Sequence, residues 1–184
     1  MAESQPAGCR LVFDTRATEI ELEALRTRPA YAGMPMRPDG VYDLVVDGGE
    51  LTAHASLSGG NVLMKDAAAG TEELIPGAPS VIRFADLPDR HKTVEIWLPH
   101  NEITELIALR SDRPLEASPI SRPVWLHHGS SISHGSNAVR PTGDLAGGGC
   151  GPRRRRTNQP RDGRGRRCWT PPSRPARCAI FRPI

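Results

Sequence analysis

Val41-Tyr42-Asp43-Leu44-Val45-Val46-Asp47-Gly48-Gly49-Glu50-Leu51-Thr52-Ala53-His54-Ala55-Ser56 holds two β-prone runs joined by Asp47-Gly48-Gly49. Asp-Gly tolerates the positive φ values of a tight hairpin turn, so residues 41–47 and 51–56 are expected to pair as a hairpin. The same reading extends outward in both directions. Upstream, residues 9–13 read as a strand, followed by Thr18-Glu19-Ile20-Glu21-Leu22-Glu23-Ala24-Leu25. Its period of two places Ile20, Leu22 and Ala24 on one face and the glutamates on the other. Downstream, residues 61–65, 80–84, 93–98 and 104–110 are further strands. Gly, Pro and Asp clusters separate them at roughly the 8–12-residue spacing of a β-sandwich, and helical period is weak. The chain is therefore expected to be mainly β, with an N-terminal, jelly-roll-like β-sandwich over residues 1–113.

Lys92-Thr93-Val94-Glu95-Ile96-Trp97-Leu98-Pro99 sets Val94, Ile96 and Leu98 on one face and Trp97 on the other. Two roles are open for Trp97. It is either a packing residue of the core or of a domain contact, or a stacking platform for a sugar-like ligand.

The formal charge of +3 averages two unlike pieces. Residues 151–184 carry 11 arginines and one acid, whereas residues 1–143 carry 13 basic and 19 acidic side chains, a net −6. The front is an acidic domain and the back an arginine-rich tail. Arginine outnumbers lysine 22 to 2, which points to GC-rich coding and not to a function. Met1-Ala2-Glu3-Ser4-Gln5 has neither a basic nor an apolar leader segment, so no signal peptide is expected. No apolar run approaches the ~20 residues that span a bilayer. Cys9, Cys150, Cys168 and Cys178 match no zinc spacing and no compact disulfide framework, so a cytoplasmic location is expected.

Pro114 to Pro123 is rich in Pro and Ser and reads as a linker over residues 114–123. Beyond it, Val124-Trp125-Leu126-His127-His128-Gly129-Ser130-Ser131-Ile132-Ser133-His134-Gly135 joins an apolar run to a Gly/Ser turn. A strand ending in such a turn is one way to expose a nucleophilic serine. Ser131 fits that role, and its own N–H or a neighbouring turn amide could hold an oxyanion. His134, three residues on, is poorly placed to act as its base. His127, His128 and His134 also raise a metal reading, but positions 127 and 128 alternate across a strand and no carboxylate lies near in sequence, so no metal is expected.

This block, followed by Pro141-Thr142-Gly143, closely resembles the first conserved block of the SGNH (GDSL-type) esterase/lipase/acyltransferase family. It is most similar to the actinobacterial branch that carries an N-terminal β-sandwich, and the likeness covers roughly residues 9–143. The resemblance implies that Ser131 is the catalytic nucleophile and an oxyanion donor, with Gly129 and Ser130 supporting the turn. The family's Asp before the serine is Ser130 here. Residues 124–143 would then be the first strand and turn of an incomplete α/β domain. The family's later Gly block, Asn block and Asp-x-x-His are not readable after Gly143, and a serine without its base and acid loses most of a triad's rate enhancement. Little or no activity is therefore expected of the chain as written.

Residues 144–184 switch to Gly, Arg, Pro and Cys without apolar period, the composition of a disordered tail. Codons for Asp144-Leu145-Ala146-Gly147-Gly148-Gly149-Cys150, read one base over, permit Thr-Trp-Pro-Ala-Val-Ala-Ala, the helix start expected after Pro-Thr-Gly. The same shift on residues 158–164 permits Thr-Asn-Leu-Gly-Met-Ala-Gly, which resembles the Gly block. A reading-frame shift near residue 144 is the favoured explanation. Arg153-Arg154-Arg155-Arg156 would bind polyanions weakly, and apart from Trp169 and Phe181 the tail lacks the interleaved aromatics of a specific nucleic-acid reader.

Two functions from different classes follow. One is a serine esterase, lipase or acyl transferase acting on an ester or acylated small molecule, sugars included, without cofactor. The other is a non-catalytic, carbohydrate-binding-like β-sandwich module. Acyl substrate and oligomeric state are not legible.

Overall fold

The computed structural model describes residues 6–119 and 138–143. Ten strands run in chain order: β1 (Arg10–Thr15), β2 (Ile20–Tyr31), β3 (Tyr42–Val46), β4 (Leu51–Ala55), β5 (Asn61–Asp66), β6 (Thr71–Ile75), β7 (Ser80–Phe84), β8 (Lys92–Trp97), β9 (Ile103–Ser111) and β10 (Leu115–Ala117). A 3-10 turn, Pro141–Gly143, lies in the second described segment. The described fold is mainly β, as the alternation required. No described helix is long and apolar enough to cross a membrane.

The strands form two sheets. The first has the order β10-β1-β8-β3-β4, and the second β6-β5-β2-β7 with β9 on the other edge of β2. The chain crosses between sheets repeatedly, so β2 and β5 are parallel while the other pairs are antiparallel. One core joins the layers. Phe13, Tyr42, Leu44, Val94 and Ile96 from the first sheet meet Ile20, Leu22, Ile82 and Phe84 from the second, all buried. Burying each such side chain contributes about 1.5–3 kcal/mol, which is what holds the two layers together.

The hairpin that organised the sequence reading is present between β3 and β4. Asp47 and Gly48 have φ of 54° and 62°, and the Gly49 amide donates to the Val46 carbonyl at 3.0 Å. Positive φ at both central residues matches the right-handed twist of the flanking strands. Asp47 also ties the turn to β8, its Oδ1 accepting the Thr93 amide at 3.0 Å and its Oδ2 the Arg90 guanidinium at 2.6 Å.

Three differences from the sequence reading have physical causes. β2 runs on to Tyr31, past the apolar alternation, because β5 pairs with residues 27–31 after β9 has ended at Thr27. Pro29 therefore lies beyond the β9 pairing, in a stretch where its missing N–H breaks no bond to that strand. β6 was not expected. Its five residues are all exposed on an edge, so no burial pattern marks them, and backbone pairing with β5 alone makes the strand. β10 lies inside the stretch read as a linker, where Leu115–Ala117 pair with β1 and the Thr15 hydroxyl donates to the Pro114 carbonyl at 2.8 Å. The strand expected at residues 124–128 and the tail at 144–184 lie outside the described residues.

Candidate functional site

Gly129, Ser130 and Ser131, with His127, His128 and His134, also lie outside the described residues. Of the block that carries the family resemblance, the structure describes its end, Pro141-Thr142-Gly143. Pro141 is fully buried. The Thr142 amide donates to Asp43 Oδ2 at 3.1 Å and the Thr142 hydroxyl donates to the same oxygen at 2.6 Å. Two donors from one residue thus converge on one carboxyl oxygen of β3.

Asp43 reaches this place through strand alternation. Tyr42 and Leu44 point into the core, so Asp43 points to the opposite face of the first sheet. There it pairs in register with Trp97 of β8, which pairs in turn with Arg10 of β1. The Arg10 guanidinium carbon lies 4.4 Å from the centre of the Trp97 ring, and its Nε is 3.3 Å from Glu95 Oε2. An outward sheet face of a sandwich is usually solvated. This one is covered: Asp43 is 0% and Trp97 4% exposed. Asp43 Oδ1 and Trp97 Nε1 are buried without a hydrogen-bond partner among the described residues. Trp97 is consequently a packed residue with a cation over its ring, and its face is not open to a sugar.

A second polar cluster lies between the sheets, and sequence reasoning missed it. Arg26 and Arg28 continue the parity of Ile20, Leu22 and Ala24 along β2, and Arg26 is as deeply buried as the apolar residues before it. Arg26 Nη1 lies 3.0 Å from Asp39 Oδ1 and 3.3 Å from Glu102 Oε1, and its Nε donates to the Gly59 carbonyl at 2.6 Å. Arg28 bonds Asp39 at 2.5 Å, and the Gly40 amide donates to Glu102 Oε1 at 2.8 Å. Burial raises the Glu102 carboxyl above its ordinary range, against the opposing pull of the Gly40 amide, Arg26 and Arg28. Burial likewise pushes the adjacent Tyr42 phenol up to about 12. Two guanidinium groups face two carboxyls, so the cluster is charge-balanced and ties β2 to the segments before β3 and β9. The one signal for it in sequence was arginine at core parity.

Lys92 is also structural. Its ammonium donates to the Ala17 and Pro88 carbonyls at 2.5 and 2.8 Å, closing the loop before β8 over the end of the core. Among the described residues, no group of three or more His, Cys, Asp or Glu side chains is placed to hold a metal ion.

No family model matches the chain, and no curated protein matches it. Among solved structures it is similar to a salicylyl-acyltransferase from a tetracycline biosynthetic pathway, with a TM-score of 0.56 and 26% identity. The likeness covers 75% of this chain and 34% of that one, so this chain spans about a third of that protein's length.

Proposed function

We propose that this chain is the front part of a serine acyl-transfer enzyme of the SGNH type, with Ser131 as its nucleophile. The observation that carries the reading is the likeness of fold to an acyltransferase over 75% of the chain. It concerns a chain whose serine block resembles such enzymes on independent grounds, the residues 124–135 and 141–143.

In this reading Ser131 Oγ attacks the carbonyl carbon of an ester and its proton passes to a base. The Ser131 N–H and a second amide of the Gly129–Gly135 turn hold the oxyanion. Collapse expels the alcohol, which takes up the proton, and leaves an acyl-serine. Water then releases the acid, or a second alcohol takes the acyl group. The acid and base of the triad are supplied by the coding sequence beyond Gly143, read one base over. The solved neighbour's name specifies a salicylyl group, so aromatic acyl esters join simple acetate esters as first substrates to try.

The test uses the coding DNA itself. Residues 1–143 continued in the one-base-shifted frame are expressed beside the chain as given, each with its Ser131→Ala partner. A fluorophosphonate probe should label the shifted-frame protein one to one, with no label in Ser131→Ala, and p-nitrophenyl acetate hydrolysis should follow the label. Labelling that survives Ser131→Ala overturns the assignment, as does a folded shifted-frame protein that takes no label. The non-catalytic, sugar-binding reading finds no support at Trp97, the platform the sequence suggested, which lies buried under Arg10.

A further inference from the structure

We propose that β9 is the contact strand of a two-fold dimer, its free edge taking β9 of a second copy of this chain in antiparallel pairing. Among the described residues β9 is hydrogen-bonded to β2 alone, so the far side of a nine-residue strand carries backbone groups with no ladder partner. It is the longest edge among the described strands: β4, β6 and β7 have five residues each and β10 three. Sheet edges are commonly guarded by proline, lysine or shortness, and Ile103–Ser111 has none of these.

The register makes β9 complementary to its own reverse. Its pairing with β2 shifts between Glu23 and Ala24, which leaves Ile107 as a bulged extra residue. Glu105, Ala108 and Arg110 oppose Leu25, Glu23 and Glu21, and so share the outward face of the second sheet. Thr104, Leu106, Leu109 and Ser111 oppose Arg26, Ala24, Leu22 and Ile20, and so share the inward face. With Ile107 taken up by the bulge, a two-fold axis at Ala108 sets Glu105 against the partner's Arg110. The same axis sets Leu106 against the partner's Leu109 and Thr104 against the partner's Ser111. Each pair then joins matching faces: opposite charges, two leucines, two hydroxyls. In an unbulged strand Glu105 and Arg110 would lie on opposite faces and could not meet. A parallel copy in register would stack Glu105 on Glu105, which is unfavourable.

Exposure fits the same occupant. Leu106 is on the inward face yet 43% exposed, and Ile107 is 51% exposed. Leu109 already packs against the core, so its meeting with the partner's Leu106 extends that core across the dimer. Arg110 holds Glu23 through Nη2 at 2.6 Å, and its guanidinium keeps further donors for the partner's Glu105. The two-fold closes both β9 edges at once, so association through them stops at two copies. None of this requires Ser131 to react, so it stands or falls separately from the proposed chemistry.

Analytical ultracentrifugation of the full chain tests it, with circular dichroism showing that each variant is folded. The parent should show a monomer–dimer equilibrium between about 1 µM and 1 mM. Glu105→Lys sets like charges opposite twice per dimer and should weaken association by about 10- to 100-fold. Arg110→Glu should do the same. An equal mixture of the two variants should dimerise as the parent does, because both charge contacts are then between opposite signs. A parent that stays monomeric over that range overturns the proposal, as does Glu105→Lys protein that associates as tightly as the parent. A mixture of folded variants that stays monomeric overturns it, and so does growth beyond two copies. Where Arg110→Glu does not fold for want of its Glu23 pair, Glu105→Lys decides alone.

Discussion

Glu102→Ala removes the acceptor at the centre of the buried arginine cluster, and its cost can be worked from the contacts. The Glu102 side chain is 2% exposed, and its Oε1 takes the Gly40 amide at 2.8 Å and Arg26 Nη1 at 3.3 Å. Breaking a buried ion pair by deleting one partner costs about 3–5 kcal/mol, since the other charge stays buried. Arg26 keeps Asp39 at 3.0 Å and the Gly59 carbonyl at 2.6 Å, which argues for the low end. The Gly40 amide is left without its acceptor, which adds about 1–3 kcal/mol, offset by no longer desolvating the Glu102 carboxyl. The net expectation is about 3 kcal/mol, a large part of the roughly 5–15 kcal/mol that holds a domain together. In urea, with slopes of about 1–3 kcal/mol/M, the midpoint should fall by about 1–3 M. Far-UV circular dichroism at equilibrium reads it. A cycle with Arg26→Met isolates the pair: the double variant should be less destabilised than the sum of the singles by about 1–3 kcal/mol. A Glu102→Ala loss under about 0.5 kcal/mol with an unchanged slope would refute the reasoning, because the cluster would then carry no net load.

Three further outcomes are expected. Burial raises the native Glu102 carboxyl, so its contribution to stability is full below the unfolded-state value and is lost as pH rises through the native one. Glu102→Gln cannot titrate, so its urea midpoint should gain on the parent as pH rises above the ordinary carboxylate value of about 4.3, and a constant difference would refute this. Leu44→Ala empties a fully buried core position where the two sheets meet and should cost about 2–5 kcal/mol, read as a fall of roughly 10–20 °C in thermal midpoint. Gly60→Ala should be worse than Gly33→Ala, as compared by urea midpoints. Both glycines have positive φ, but a Cβ at 60 would lie 2.5 Å from Arg26 Cγ and 2.7 Å from the Arg26 carbonyl, whereas at 33 it meets nothing within 4 Å. Equal losses would show that backbone strain alone governs position 60.

Most strands were legible because their information is local. The Asp47-Gly48 turn and the Ile20/Leu22/Ala24 alternation each need only neighbours in sequence to be read. β6 and β10 were not, since edge strands with exposed side chains leave no burial pattern and depend on a partner strand offering its backbone. The candidate site divides the same way. Ser131 was readable as a motif, and its placement lies outside the described residues. Asp43 was invisible as a site residue, because nothing near it in sequence announces Thr142, 99 positions away.

Alternation and turn chemistry alone thus specify a β-rich sandwich and its main faces, because period and φ preference are properties of short segments. Only the tertiary structure decided the rest. Stacking of the two sheets turned Arg26 and Arg28 inward against Asp39 and Glu102, whereas strand pairing within the first sheet put Arg10 over Trp97, and the return of the chain at Pro141–Gly143 set Thr142 on Asp43. Each of these is a pairing between distant residues whose stabilisation comes from excluding water. That exclusion does not exist until the distant segments have come together.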